Sequence, residues 1–249
     1  MIIMPGYYVH LAVSNKEVRK DRSFVLGVEI PDLLKKYVKL YGLDGARIKY
    51  NSIKTTKMPE FSYFESRVQQ QENNLSNNGM HYGWSSNPDI MCYWNSLGKC
   101  EKQNPFYIGY LWHLLTDLFM YKYLDIEGKL NRFAEQHKAD KNISELIKLE
   151  HKKLHNDWDK INAKIIIIYP DVVLTPEVLE LDLVKFINDD ELTYVDWNII
   201  KTITDYMRTI NPLNQEIDKI IDEIMTFMKE QNDYSVDTLN KKLVLSKFK

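Results

Sequence analysis

The segment Pro105–Leu124, PFYIGYLWHLLTDLFMYKYL, carries the most pointed chemistry in the chain. It is apolar nearly all round, which marks a buried helix. Its few strongly polar residues are His113, Thr116, Asp117 and Lys122. At 3.6 residues per turn, positions 113, 116 and 117 fall on one stripe. A buried carboxylate is costly unless something compensates it, so Asp117 requires a partner. A cation held jointly by His113 and Asp117 is one solution. A buried His⁺–Asp pair in the core is the other, and the H-x-x-x-D spacing alone does not separate them.

Three further residues can join this pair. His10 lies in the aromatic-apolar stretch Tyr7-Tyr8-Val9-His10-Leu11, as a core histidine or as a ligand. Asp32 follows Pro31, either as a charge complementing a helix start or as a ligand. His81 sits in the glycine-flanked loop Gly79-Met80-His81-Tyr82-Gly83, free on a surface or folded onto a site. Together with His113 and Asp117 they supply three imidazoles and two carboxylates. Such a set suits zinc, iron or manganese rather than calcium or magnesium. His151, His155 and Asp159 follow at i, i+4 and i+8. Lys148, Glu150, Lys152 and Lys153 crowd around them, so we read this stripe as a solvated face rather than a ligand row. Asp157 is an outlying candidate for a cleft that Tyr7, Tyr8, Tyr82 and Trp84 would line, although aromatic residues at such positions also serve as core.

The elements that must position these residues read as helices. Residues 7–20 form a first helix ending in charge. Val25–Glu29 leads into a helix start at Pro31-Asp32, and the helix Asp32–Tyr41 stops at Gly42. Residues 43–103 form a long turn-rich stretch carrying Pro59, Gly79, Gly83, Pro88 and Gly98. Beyond Pro105–Leu124, helices are expected over Asn131–Ala139, Ser144–Tyr169, Thr175–Ile187, Thr193–Ile210, Leu213–Glu230 and Val236–Ser246. Strand-like alternation is scarce, so the expected class is all-α. The 249 residues suit a single helical domain, with a metal-site portion over 1–170 and a C-terminal helical portion over 171–249. Lys+Arg is 33 and Asp+Glu 35, a net charge of -2, which offers no electrostatic footprint for nucleic acid. The longest strongly apolar run, Ile165–Ile168, is far too short to cross a bilayer. The opening MIIMPGYYVH lacks the features of a signal peptide, and Met1 and Met4 both read as natural starts. Cys92 and Cys100 form no C-x-x-C and are expected as reduced thiols, so the expected compartment is the cytoplasm.

The ordered motifs resemble the zinc-dependent phospholipase C family, and more closely its small cytoplasmic bacterial members of unknown substrate. The resemblance is carried by Met4-Pro-Gly-Tyr-Tyr-Val-His10, Phe24-Val-Leu-Gly27-Val-Glu-Ile-Pro31-Asp32, His81-Tyr82-Gly83 and Gly109-Tyr-Leu-Trp-His113-Leu-Leu-Thr-Asp117, over residues 5–124. It implies a helical bundle of the phospholipase C type, here with additional C-terminal helices, and a metal cluster in a cleft. Asp32, His81, His113 and Asp117 would hold one zinc. Asp117 would bridge to a second, which His10 would ligate. The family's later H-x-x-x-E, which serves a third metal, is absent. His137 is followed four residues on by Lys141, so two ions at most are expected, with manganese or iron as possible substitutes. The expected activity is hydrolysis of a small-molecule phosphate ester by a metal-activated water, with Asp32 as ligand or base. The alternatives are a nucleotide phosphohydrolase of the histidine–aspartate type and a non-enzymatic protein with a structural metal and a partner surface over Thr175–Lys249.

Overall fold

A computed structural model describes residues 6–72, 80, 82–84, 87–181 and 191–229. The all-α expectation holds. Helices are α1 (Tyr7–Ala12), α2 (Arg22–Ile53), α3 (Ser62–Glu72), α4 (Ile90–Asn95), α5 (Lys99–Lys102), α6 (Pro105–Leu124), α7 (Ile126–Gln136), α8 (Ile143–Ile168), α9 (Pro176–Leu179), α10 (Trp197–Met207) and α11 (Ile217–Lys229). The described residues add one antiparallel ladder, in which Gly83–Trp84 (β1) pairs with Asn87–Pro88 (β2). Among the described residues, no helix is long and apolar enough to cross a membrane.

Helix α6 is the central element, and its bounds match those read from the sequence. Asn104 caps it by accepting from the Phe106 N–H at 3.0 Å, and Pro105 fills a position whose N–H would have no partner. It ends where Asp125 turns left-handed at φ 48°.

Helix α2 departs from expectation. It starts at Arg22, ten residues before Asp32, because the Asp21 carboxylate accepts from the N–H groups of Ser23 and Phe24. Pro31 lies inside the helix instead of opening it. Its ring removes the N–H that would bind the Gly27 carbonyl. Packing overrides this local cost, since every residue from Ser23 to Leu34 is buried. Asp32 is therefore an interior residue and not a first-turn acid. Gly42, at φ 69° and ψ 179°, breaks the helical path as expected, but the helix resumes to Ile53. Only glycine adopts that conformation without strain.

Other boundaries shift as well. The first helix stops at Ala12, and a separate 3₁₀ turn covers Val18–Lys20. The stretch 43–103 contains helices α3, α4 and α5 besides its turns. Of the expected helix Thr175–Ile187, only the single turn α9 is described. Val236–Ser246 lies outside the described residues.

Helices α2 and α6 cross in backbone contact. A Cβ on Gly27 would stand 2.1 Å from the Phe106 carbonyl oxygen, and one on Gly109 would stand 2.1 Å from that of Phe24. No larger side chain fits either position. One hydrophobic cluster continues from this crossing through the molecule, from Val9 to Ile224. The C-terminal part is also tied to the start of the chain. Arg208 donates to the Ala12 carbonyl at 2.9 Å, and Asp171 receives both Arg208 and Arg19.

Gly27→Ala and Gly109→Ala should each lower the unfolding free energy by about 1–3 kcal/mol, the usual cost of overpacking. Urea denaturation followed by circular dichroism measures this. Wild-type stability in both variants would refute the close crossing.

Candidate metal centre

The crossing of α2 and α6 brings side chains from three helices together. His10 comes from α1, Asp32 from α2, and His113 and Asp117 from α6. All are buried, with 1%, 7%, 0% and 0% exposure respectively. One donor atom from each of His10, Asp32 and His113 lies within 4.8 Å of the other two. Among the described residues this is the only group of three or more potential ligands that converges so closely. Asp117 faces both imidazoles: His10 Nε2 stands 3.4 Å from Oδ1, and His113 Nε2 stands 3.4 Å from Oδ2. The two rings stack with centroids 3.8 Å apart and planes inclined by 15°.

A backbone contact sets the histidine chemistry. His113 Nδ1 lies 2.7 Å from the Val28 carbonyl oxygen on α2. A carbonyl only accepts, so Nδ1 carries the proton. In the neutral ring the lone pair then sits on Nε2, directed at Asp117 Oδ2. Such outer-shell bonds commonly fix the tautomer of metal-ligating histidines. Two acceptors facing each other repel unless a proton or a cation lies between them. The donor set therefore fits a transition-metal ion, and a shared proton is another way to relieve it.

Burial shapes the titration of the cluster. It pushes the Asp117 carboxyl well above the usual range, opposed by Lys35. It raises Asp32 to about 6, against the lowering influence of His113 and Lys35. It depresses His113, and the Asp32 charge works the other way. Without a cation, burial thus favours neutral groups throughout. A bound dication would reverse that preference, because ligands must be deprotonated.

The remaining candidates separate clearly. His81 lies outside the described residues. His151 and His155 are half-buried on α8 and do not join the converging donors. Asp157 is buried but structural: it accepts from the backbone N–H groups of Thr193, Tyr194 and Val195. Tyr7 lies near enough to Asp32 and Glu29 for both to raise its pKa, after burial.

Sequence reasoning overlooked Glu29, one turn before Asp32. It is 1% exposed and accepts from the Thr175 hydroxyl at 2.7 Å and the Thr175 N–H at 3.4 Å. An acid inside the apolar run Phe24–Ile30 was the available signal. Burial raises its pKa to about 8. A carboxyl whose pKa is higher in the folded than in the unfolded chain stabilises fully below its unfolded value and loses that stabilisation as pH rises. The Glu29 contribution should therefore fall between about pH 4.5 and about pH 8. Glu29→Gln, which stays neutral, should gain stability relative to wild type across that window. Chemical denaturation of both proteins from pH 5 to 8.5 measures this. A constant difference would show that Glu29 is ionised in the folded chain throughout.

No family model, curated protein or solved structure matches this chain.

Proposed function

We propose that the chain is a metal-dependent hydrolase of phosphate esters, with one or two zinc ions held by His10, Asp32, His113 and Asp117. The observation that carries this reading is the convergence of buried donors of His10, Asp32 and His113 from α1, α2 and α6, with the Asp117 carboxylate facing both imidazoles. The order of motifs that resembles the zinc-dependent phospholipase C family points the same way.

The roles of the chain's own groups follow from their positions. Asp117 presents one oxygen to each imidazole and is the natural shared ligand. The Val28 carbonyl holds His113 with its Nε2 lone pair toward that carboxylate. Asp32 completes the ligand set or orients the attacking water as a base. Zinc bound there would lower the pKa of a coordinated water and stabilise charge on a phosphoryl oxygen. A second reading, a closed structural site, is favoured by the near-complete burial of all four side chains.

Protein purified without added metal should carry one or two equivalents of a transition metal by elemental analysis. Asp117→Asn and His113→Ala should lose most of it, whereas His151→Ala and His155→Ala should retain it. Full occupancy in Asp117→Asn would remove that residue from the ligand set.

Turnover of a chromogenic phosphodiester or monoester tests the activity. Chelation should abolish it, and zinc or manganese should restore it. Asp32→Asn should lower the rate more than the occupancy if Asp32 orients water, and both equally if it is only a ligand. Fully metallated protein that hydrolyses neither ester, and has no coordination position open to water, would favour the structural site.

A further inference from the structure

Helix α8 presents a row of buried polar atoms that have no hydrogen-bond partner among the described residues. His151, His155, Trp158 and Asn162 recur at i, i+4, i+7 and i+11, which places them on one face. Each holds a buried polar atom with no hydrogen bond: His151 Nδ1, His155 Nε2, Trp158 Nε1 and Asn162 Oδ1. Native interiors carry only a few such atoms per hundred residues, so four in register on one helix face point to an external partner. Trp158 is the most telling. It is only 3% exposed, and an indole N–H can do nothing but donate.

The row flanks the carboxylate–histidine cluster. Its C-terminal end meets the start of α1, the helix that carries His10. A Cβ on Gly6 would lie 2.0 Å from Asn162 Nδ2. Toward the middle of the row, charge from α2 reaches His155. The charged side chains that act on His155 are His151, Lys35 and Lys39, none of them acidic. Lys35 sits one turn beyond Asp32 and is half-buried. Its charge also reaches Asp32, His113 and Asp117. Among the described residues Lys35 has no carboxylate within ion-pair distance.

A second metal does not fit this row. His151, His155 and Asp159 do not bring their donor atoms together, whereas the cluster does. An indole N–H and an ammonium group also repel a cation. Asn162 Oδ1 is an acceptor and stands apart at the C-terminal end of the row. The chemistry of the other groups, with Lys35, is that of donors awaiting an acceptor: an ammonium, an indole N–H and one N–H from each neutral imidazole. Charge-assisted bonds from such donors to oxyanions are the strong class of hydrogen bond.

We propose that His151, His155 and Trp158 of α8, together with Lys35 of α2, form an oxyanion subsite beside the cluster, which receives an anionic oxygen group of the phosphate class from the substrate. This deepens the hydrolase reading and rests on it for the nature of the substrate. The cluster would act on the ester, and the subsite would select substrates that carry charge on the side facing α8.

Isothermal titration of the full chain with inorganic phosphate tests the proposal, in zinc-loaded and zinc-free protein. Wild type should bind phosphate in both states, more tightly with zinc. Lys35→Gln should weaken binding at least about tenfold, the loss expected for one charged hydrogen bond. Trp158→Phe removes only the N–H and should weaken it several-fold. Zinc content and the circular dichroism spectrum should be unchanged in both. If Trp158→Phe fails to fold, His155→Gln takes its place with the same expected loss. Unaltered phosphate affinity in the folded variants, or no phosphate binding by wild type, overturns the subsite. A chain that binds no zinc but still binds phosphate through Lys35 and Trp158 would keep the subsite and end the hydrolase reading.

Discussion

The contact between α2 and α6 at Gly27 and Gly109 is the constraint on which the site depends. Side chains normally hold packed helices about 8–10 Å apart. Here each glycine lies against a carbonyl of the opposing helix, at Phe106 and Phe24. That closeness puts the Val28 carbonyl within hydrogen-bonding reach of His113, four residues beyond Gly109. The same approach places Asp32 beside His113 and Asp117. Were the helices spaced by ordinary side chains, Val28 could not orient the imidazole, and the donors would not converge.

The crossing also creates an electrostatic problem. Asp32 and Asp117 are buried with two imidazoles, and Glu29 is buried one turn away. Isolated charges in such surroundings cost several kcal/mol each, even after relaxation. The chain treats its acids differently. Glu29 receives two bonds from Thr175, and Asp157 three from backbone N–H groups. Asp117 instead faces two ring nitrogens, of which His113 Nε2 has its lone pair directed at the carboxylate. Glu29 and Asp157 thus hold loops in place, while the cluster gathers buried donors that could hold a cation.

The face of α8 is the complement of this arrangement. Where the cluster gathers acceptors, Trp158 Nε1, the two α8 imidazoles and Lys35 can offer donors. Helix α1 contacts α8 as well as α2 and α6, so the two sets of groups are linked through it. Helix α1 is only six residues long, and it is positioned by its packing against α2, α6 and α8 rather than by intrinsic helical stability.

The sequence by itself determined the helical class, the bounds of α6 and the pairing of His113 with Asp117. These depend on local periodicity, on the Asn104-Pro105 cap and on the rule that four residues make a turn. It also singled out His10, from its aromatic-apolar surroundings, and Asp32, from its place after Pro31. It misplaced the start of α2, because proline is normally a helix boundary, and only burial on every side holds Pro31 within one. It passed over Glu29 and Lys35, whose importance lies in neighbours far along the chain. It assigned His151 and His155 to solvent from their charged sequence neighbours, yet their inner ring atoms are buried. What only the tertiary structure decided was distance: the Gly27–Gly109 crossing, the stacked imidazoles and the bond from His113 to Val28. Those depend on contacts between helices up to about a hundred residues apart, which no local pattern encodes.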